Sequence, residues 1–379
     1  MSTAKGSMST DHHAGLEDIE VLESAICDIN QKGLTFRGYD ITELAAHSTF
    51  EETAYLLLND QLPSQKELND FRRELAAEYI LPREITEHIN HVPREAHPMA
   101  VLRTLISSLG LYDADAADNS GPALHRKSVR ILAKIPAIVA AIARHRNAKS
   151  HVESNVDLSI AGNFLYCLTG KLPDAETERL LETTMILYAE HELNASTFAA
   201  RITAATQADT YSCMVAAVSA LQGNLHGGAN QRATEMLLTI GSPANVPEYL
   251  AAKLKKKEII MGFGHRVYKS GDPRVPVLRS LCKALSEKKN EKQIFDTAAA
   301  VEAEMLKQKK LHANVDYYSG LAYYLLGFSA EIYTCIFAMA RAAGYLAHIS
   351  EQLDENKLIR PRGVYTGKKG LKYQPLGSR

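Results

Sequence analysis

Apolar residues recur at helical spacing from about residue 42 to residue 353, and the pattern changes only once, between 222 and 314. A chain written in a period of 3.6 residues cannot settle as a sheet, because its apolar set would fall on both faces. The pattern therefore predicts an almost all-α protein. Thr49 with Glu52, and Ser64 with Glu67, match the capping box at two helix starts. Further helices are expected around 84–91, 98–111, 122–146 and 157–169. Asp174 should cap a helix leading to His191, followed by helices over 197–208 and 210–222. The one good strand signal is 25–39, centred on Asn30-Gln31-Lys32-Gly33, which reads as a short hairpin.

At 379 residues the chain exceeds what one core usually holds. The change of texture supplies the division. Between 222 and 314, glycine-rich loops alternate with Lys/Glu-rich helices at 230–239, 247–256, 275–288 and 291–309. The expectation is a large helical domain of 16–222 plus 315–379 and a small helical domain of 223–314. Glycines near 223 and 320 are expected to act as hinges. Residues 1–15 are small and polar and are expected to be disordered.

Composition narrows the classes. Hydrophobic residues make up 46% and charged residues 23%, which is ordinary for a soluble globular protein. A net charge of −1 argues against chain-wide attraction to nucleic acid or to a membrane. The lysines of 253–257 and 288–289 read as solvated helix faces. No apolar run is expected to span a membrane. The five cysteines, Cys27, Cys167, Cys213, Cys282 and Cys335, are odd in number and widely spaced, and form no CxxC. No disulfide framework or zinc knuckle is expected, and a reducing cytoplasm fits.

Three glycine-bracketed segments carry the chemistry. Gly262-Phe263-Gly264-His265-Arg266-Val267-Tyr268-Lys269 runs on to Asp272-Pro273-Arg274. His265 can move a proton near neutral pH, Arg274 can grip a carboxylate, and Lys269 can hold a phosphate; a polar surface loop is the plainer reading. Leu225-His226-Gly227-Gly228 precedes a helix whose N-terminus would keep His226 neutral, against the alternative of a surface loop histidine. Asp316, before Tyr317-Tyr318-Ser319-Gly320, reads as a carboxylate base or as a plain N-cap.

Other residues are singled out beside them. On a wheel of 329–353, Ile332, Cys335, Ile336, Met339, Ala343, Leu346 and Ile349 form an apolar stripe. Arg341 lies opposite, with Thr334, Phe337, Tyr345 and His348, facing either a cleft or solvent. Arg360 and Arg362 flank Pro361 in an extended tail that is otherwise only basic. His191-Glu192 is no HExxH zinc motif, because residue 195 is Ala195. Gly262–Val267 is no GxGxxG, and no strand precedes it.

His226, His265 and Asp316, each inside its motif and in that order, resemble the citrate synthase family. The likeness runs from Phe36-Arg37-Gly38-Tyr39 to Arg360-Pro361-Arg362, with Asn224 where the family usually has proline. It implies a two-domain helical fold with the active site in the cleft between domains. It implies condensation of acetyl-CoA with oxaloacetate and water to citrate and CoA, with no cofactor and no metal. The implied roles are Asp316 as base, His226 as donor to the thioester oxygen, and His265 on the oxaloacetate ketone. His191, Arg274, Arg341 and Arg360 bind oxaloacetate, Arg360 from the partner of a homodimer. Lys269, and more weakly Arg266 and Lys257, contact CoA. The alternatives are a 2-methylcitrate synthase using propionyl-CoA and a non-catalytic helical interaction protein. Gly264-His265-Arg266-Val267-Tyr268, the Tyr-Ser-Gly after Asp316 and the paired arginines look more like citrate synthases than 2-methylcitrate synthases.

Overall fold

Both capping boxes form. Thr49 Oγ1 accepts from the Glu52 amide at 3.2 Å and Ser64 Oγ from that of Glu67 at 3.3 Å, and each glutamate reaches back to its cap. The computed structural model describes residues 16, 19–30, 33–265 and 267–379. The disorder expected for 1–15, the Gln31-Lys32 turn and the CoA candidate Arg266 lie outside the described residues.

Strands β1 (Cys27–Asn30), β2 (Gly33–Phe36) and β3 (Tyr39–Asp40) make an antiparallel sheet in the order β1-β2-β3. The expected hairpin is its first two strands, paired Cys27 to Phe36 and Ile29 to Leu34. Leu34 and Phe36 are buried, and Asp40 caps the first helix through Oδ1 at 2.7 Å from the Thr42 amide. Ten helices follow: α1 (Ile41–His47), α2 (Phe50–Asn59), α3 (Gln65–Ala77), α4 (Arg83–His91), α5 (Pro98–Leu109), α6 (Gly121–Arg146), α7 (Ile160–Thr169), α8 (Ala175–Tyr188), α9 (Ala195–Ala204) and α10 (Thr210–Leu221). The remainder are α11 (Ala229–Ile240), α12 (Val246–Lys255), α13 (Val275–Lys288), α14 (Lys292–Lys309), α15 (Val315–Leu325) and α16 (Tyr333–Asp354).

Three differences from the sequence reading have tertiary causes. Helix α8 stops at Tyr188, short of His191. The carbonyls of Tyr188 and Ala189 accept instead from Arg341 Nε at 2.6 Å and from the Gly344 amide at 3.1 Å. Asp316 is not the cap of α15: Asn314 is, accepting from the Asp316 amide at 3.1 Å, so Asp316 lies in the first turn. Helix α16 has no solvent face, since every residue from Ile332 to Ile349 is buried. The stretch Ala330–Asp354 is also long and apolar enough, by length and composition alone, to cross a membrane, contrary to the expectation of no such run. Here it is the central core helix, packed by α2, α5, α6, α8, α9, α10 and α11.

Helices α11 to α14 pack on one another, and α11 and α13 also pack on α15. Gly320 is a close-packing residue within α15. A Cβ there would stand 2.3 Å from the Asn230 carbonyl oxygen of α11 and 2.5 Å from Thr234 Oγ1. Gly320→Ala should therefore cost about 1–3 kcal/mol by overpacking. Gly121→Ala, with nothing within 4 Å of its Cβ, should stay within about 0.5 kcal/mol of wild type. Urea unfolding of both variants checks this; equal midpoints would mean that α11 and α15 separate without cost.

Candidate active site

Three loops and two helices converge on one cavity of about 700 Å³. The segment after α8 brings His191, the α10–α11 loop His226, and the 262–274 loop His265 and Arg274. The start of α15 brings Asp316, and α16 brings Phe337 and Arg341. The 262–274 loop is held by antiparallel pairing with the residues just before α15. The Gly264 amide donates to His312 O and the Asn314 amide to Gly262 O, each at 2.9 Å, while Asn314 Nδ2 donates to Gly264 O at 3.0 Å. This pairing brings His265 to the same cavity wall as Asp316.

His265 Nδ1 accepts from the Val267 and Tyr268 amides at 3.1 and 3.2 Å. Backbone N–H groups only donate, so the ring proton sits on Nε2. Burial, and then the Arg274 charge, push this imidazole down to about 4. His226 is also pushed down to about 4, by burial and then by Arg341. Its neutrality, ascribed above to a helix N-terminus, thus has these causes. His226 Nε2 lies 2.7 Å from Ser196 Oγ, which also accepts from Tyr345 Oη at 2.7 Å. Ser196 Oγ also lies 2.7 Å from Asn194 Oδ1, which only accepts; when the single Ser196 proton points to Nε2 instead, Nδ1 is the ring's donor. His191 is driven well below the usual histidine range by burial and by Arg274 and Arg341, and its buried Nε2 has no partner among the described residues. All three imidazoles are therefore neutral donors or acceptors near pH 7.

Asp316 is the converse. Burial raises its carboxyl above the usual aspartate range, while Tyr188 Oη donates to Oδ1 at 2.6 Å and partly offsets the rise. A carboxylate raised in this way is a stronger base when ionised. The two arginines differ in charge balance. Arg274 is paired with buried Asp272 through Nε–Oδ1 at 2.9 Å and Nη2–Oδ2 at 2.8 Å. Asp272 Oδ2 also accepts from the Val315 amide at 3.0 Å, which ties this loop to α15. Arg341 has no ion-pair partner among the described residues, and its guanidinium lies 4.7 Å from the Phe337 ring centre. One uncompensated buried cation facing a cavity favours an anionic ligand.

The structure thus gathers His191, His226, His265, Arg274, Asp316 and Arg341 around one space. Arg360 and Lys269 are exposed and do not line it, and neither does Lys257, exposed beyond α12 with φ 58°. Among the described residues no group of three or more His, Cys, Asp or Glu could hold a metal ion. Sequence reasoning passed over Tyr188, Ser196 and Asp272. Only Asp272, two residues before Arg274, had a local signal.

The family model for the citrate synthase C-terminal domain matches residues 15–362. The chain is 45% identical to citrate synthase 2 of Bacillus subtilis, over 96% of this chain and 98% of that one. It is 41% identical to a 2-methylcitrate synthase of Mycobacterium tuberculosis, over 93% and 90%. A citrate synthase from Thermoplasma acidophilum, solved with carboxymethyl coenzyme A and oxaloacetate, superposes with TM-score 0.91 at 31% identity, covering 96% of this chain and 98% of that one. The crystal structure of the Pyrobaculum aerophilum citrate synthase gives 0.90 at 39%, covering 96% and 94%. The chain belongs to the citrate synthase family. It is accordingly an enzyme, an acyltransferase of that type, and the reading as a non-catalytic interaction protein falls away.

Tyr188 supplies a test of the base. Its hydroxyl stabilises the ionised form of Asp316, so Tyr188→Phe should raise the Asp316 pKa further. The acid limb of kcat/KM should move to higher pH by on the order of one unit. An unmoved limb in a pH–rate profile would show that Asp316 is not the group titrating there.

Proposed function

We propose that this protein is a citrate synthase, joining acetyl-CoA to oxaloacetate and, with water, releasing citrate and CoA. The observation that carries the reading is a raised carboxyl, Asp316, sharing one cavity with neutral His226 and His265 and with two guanidinium groups. A thioester α-proton is too weakly acidic for a carboxylate alone. Asp316 removes it while His226 donates a hydrogen bond to the thioester oxygen, so charge spreads as it develops. The resulting carbon nucleophile attacks the oxaloacetate ketone, and His265 Nε2–H supplies the proton to the forming alkoxide. Arg274, Arg341 and His191 hold the oxo-acid carboxylates; Arg341, lacking an ion pair, has most to gain. Water then cleaves the citryl thioester. No step needs a metal or redox cofactor.

The small domain of 223–314 corresponds to α11–α14, and α15 of the large domain packs on its α11 and α13. Lys269, Arg266 and Lys257 remain CoA candidates by resemblance. Five free cysteines without a disulfide accord with a cytoplasmic enzyme. Likeness to a 2-methylcitrate synthase keeps propionyl-CoA as the second reading. One methylene is worth about 1–3 kcal/mol in a pocket, so both acyl-CoAs can turn over. Thiol release with oxaloacetate should be faster with acetyl-CoA than with propionyl-CoA. Asp316→Asn should lower kcat by about a hundredfold or more. The reverse acyl preference would establish the second reading, and near-normal turnover of Asp316→Asn would remove the base assignment.

The exposed tail also bears on assembly. Leu358, Val364, Tyr365, Leu371, Tyr373 and Leu376 are exposed apolar groups beyond α16, which suits a segment lying on a second copy. In a homodimer Arg360 would then complete the partner's site. Asp316→Ala and Arg360→Ala homodimers should each be nearly inactive. Refolded together in equal amounts, they should recover about a quarter of wild-type activity, because half the dimers carry one intact site. No recovery, with mixed dimers verified by size and mass, would place Arg360 in its own chain's site, and an active Arg360→Ala homodimer would place it outside catalysis.

A further inference from the structure

Behind the cavity, the segment that ends α8 is pinned to α16 by three successive bonds. Arg341 Nε donates to the Tyr188 carbonyl at 2.6 Å, and the Gly344 amide to the Ala189 carbonyl at 3.1 Å. His348 Nε2 lies 3.1 Å from Glu190 Oε1. Residues 341, 344 and 348 fall on one helical stripe, and residues 188, 189 and 190 are consecutive. The next residue is His191, whose ring enters the cavity. The spacing leaves no room for a side chain at residue 344: a Cβ on Gly344 would stand 2.0 Å from Glu190 Oε2 and 2.5 Å from the Ala189 oxygen.

The outer rung is wholly buried, with both His348 and Glu190 at 0% exposure. Its polarity is set from behind. Arg201 Nη1 lies 3.1 Å from His348 Nδ1, and a guanidinium can only donate. Nδ1 is therefore the acceptor, and the imidazole carries its proton on Nε2, directed at Glu190. Arg201 is in turn held by Gln352 Oε1 at 3.0 Å and by Glu351. Among the described residues Glu190 Oε2 has no partner, and the His348 bond is the only side-chain hydrogen bond that holds this buried carboxyl. Removing it would leave the group free to pull the 188–191 segment towards water.

We infer that the His348–Glu190 pair is a positioning element for the oxo-acid, setting His191 and the Tyr188 carbonyl that orients Arg341 without itself touching substrate. This rests on the reading of His191 and Arg341 as carboxylate ligands. The consequence is selective. Disturbing the pair should weaken oxaloacetate binding, while acyl-CoA binding, assigned to other elements, changes little.

The test compares His348→Ala, His348→Gln and wild type in steady-state kinetics, with each substrate varied in turn. His348→Ala should raise KM for oxaloacetate by about ten- to a hundredfold, the range expected of a misplaced binding group. KM for acetyl-CoA should change by less than about threefold. A glutamine amide can donate to Glu190 and accept from Arg201 with the same polarity, so His348→Gln should restore the oxaloacetate KM to within about threefold of wild type. Gly344→Ala, which pushes the same segment off α16 from another rung, should reproduce the His348→Ala pattern. Far-UV circular dichroism and size exclusion verify that each variant is folded. An unchanged oxaloacetate KM in His348→Ala, equal rises in both KM values, or no rescue by glutamine would each overturn the inference. If His348→Ala does not fold, the other two variants still decide it: a high oxaloacetate KM in His348→Gln, or an unchanged one in folded Gly344→Ala, overturns it. Failure of the underlying reading looks different, because wild-type enzyme would then show no oxaloacetate-dependent thiol release.

Discussion

The structure depends on a polar helix side being buried in the core. Helix α16 is enclosed from Ile332 to Ile349, yet carries Thr334, Arg341, Tyr345 and His348. Each such group must find a partner, because an unpaired polar group away from water costs about 1–3 kcal/mol and a charge costs more. The partners lie on the segments that form the site. Arg341 takes the Tyr188 carbonyl, Tyr345 takes Ser196 and through it His226, and His348 takes Glu190. Satisfying the core helix and positioning the cavity's side chains are thus one set of hydrogen bonds.

The same arrangement sets protonation. Burial removes water from the imidazoles, and Arg274 and Arg341 repel a further positive charge, so His191, His226 and His265 are all held below their usual range. The same loss of water raises Asp316. Burial thus moves the carboxyl up and the imidazoles down, the separation that the proposed base and donor roles require at one pH. Asp272 neutralises Arg274 and also grips the α15 backbone, whereas Arg341 keeps its charge for a ligand.

Much of this was legible beforehand because it is local. Capping boxes, helical periods and the hairpin depend on residues a few positions apart, and α13 begins and ends where its pattern does. The histidine and aspartate motifs were visible because each carries its own glycines or aromatic neighbours. Tyr188 and Ser196 carry no such mark. They look like ordinary helix residues until α15, α10–α11 and α16 fold against them.

The sequence by itself determined the helical class, the helix starts and the residue types able to do acid–base and carboxylate chemistry, since these follow from short-range periodicity, capping and side-chain chemistry. Only the tertiary structure decided that α8 ends before His191, that α16 has no outer face, and that Gly320 is a packing contact. Those outcomes turn on hydrogen bonds and close approaches between residues more than a hundred positions apart for Tyr188 and Arg341, and ninety for Asn230 and Gly320. No local pattern encodes such a pair, and its energy exists only once both partners are buried together.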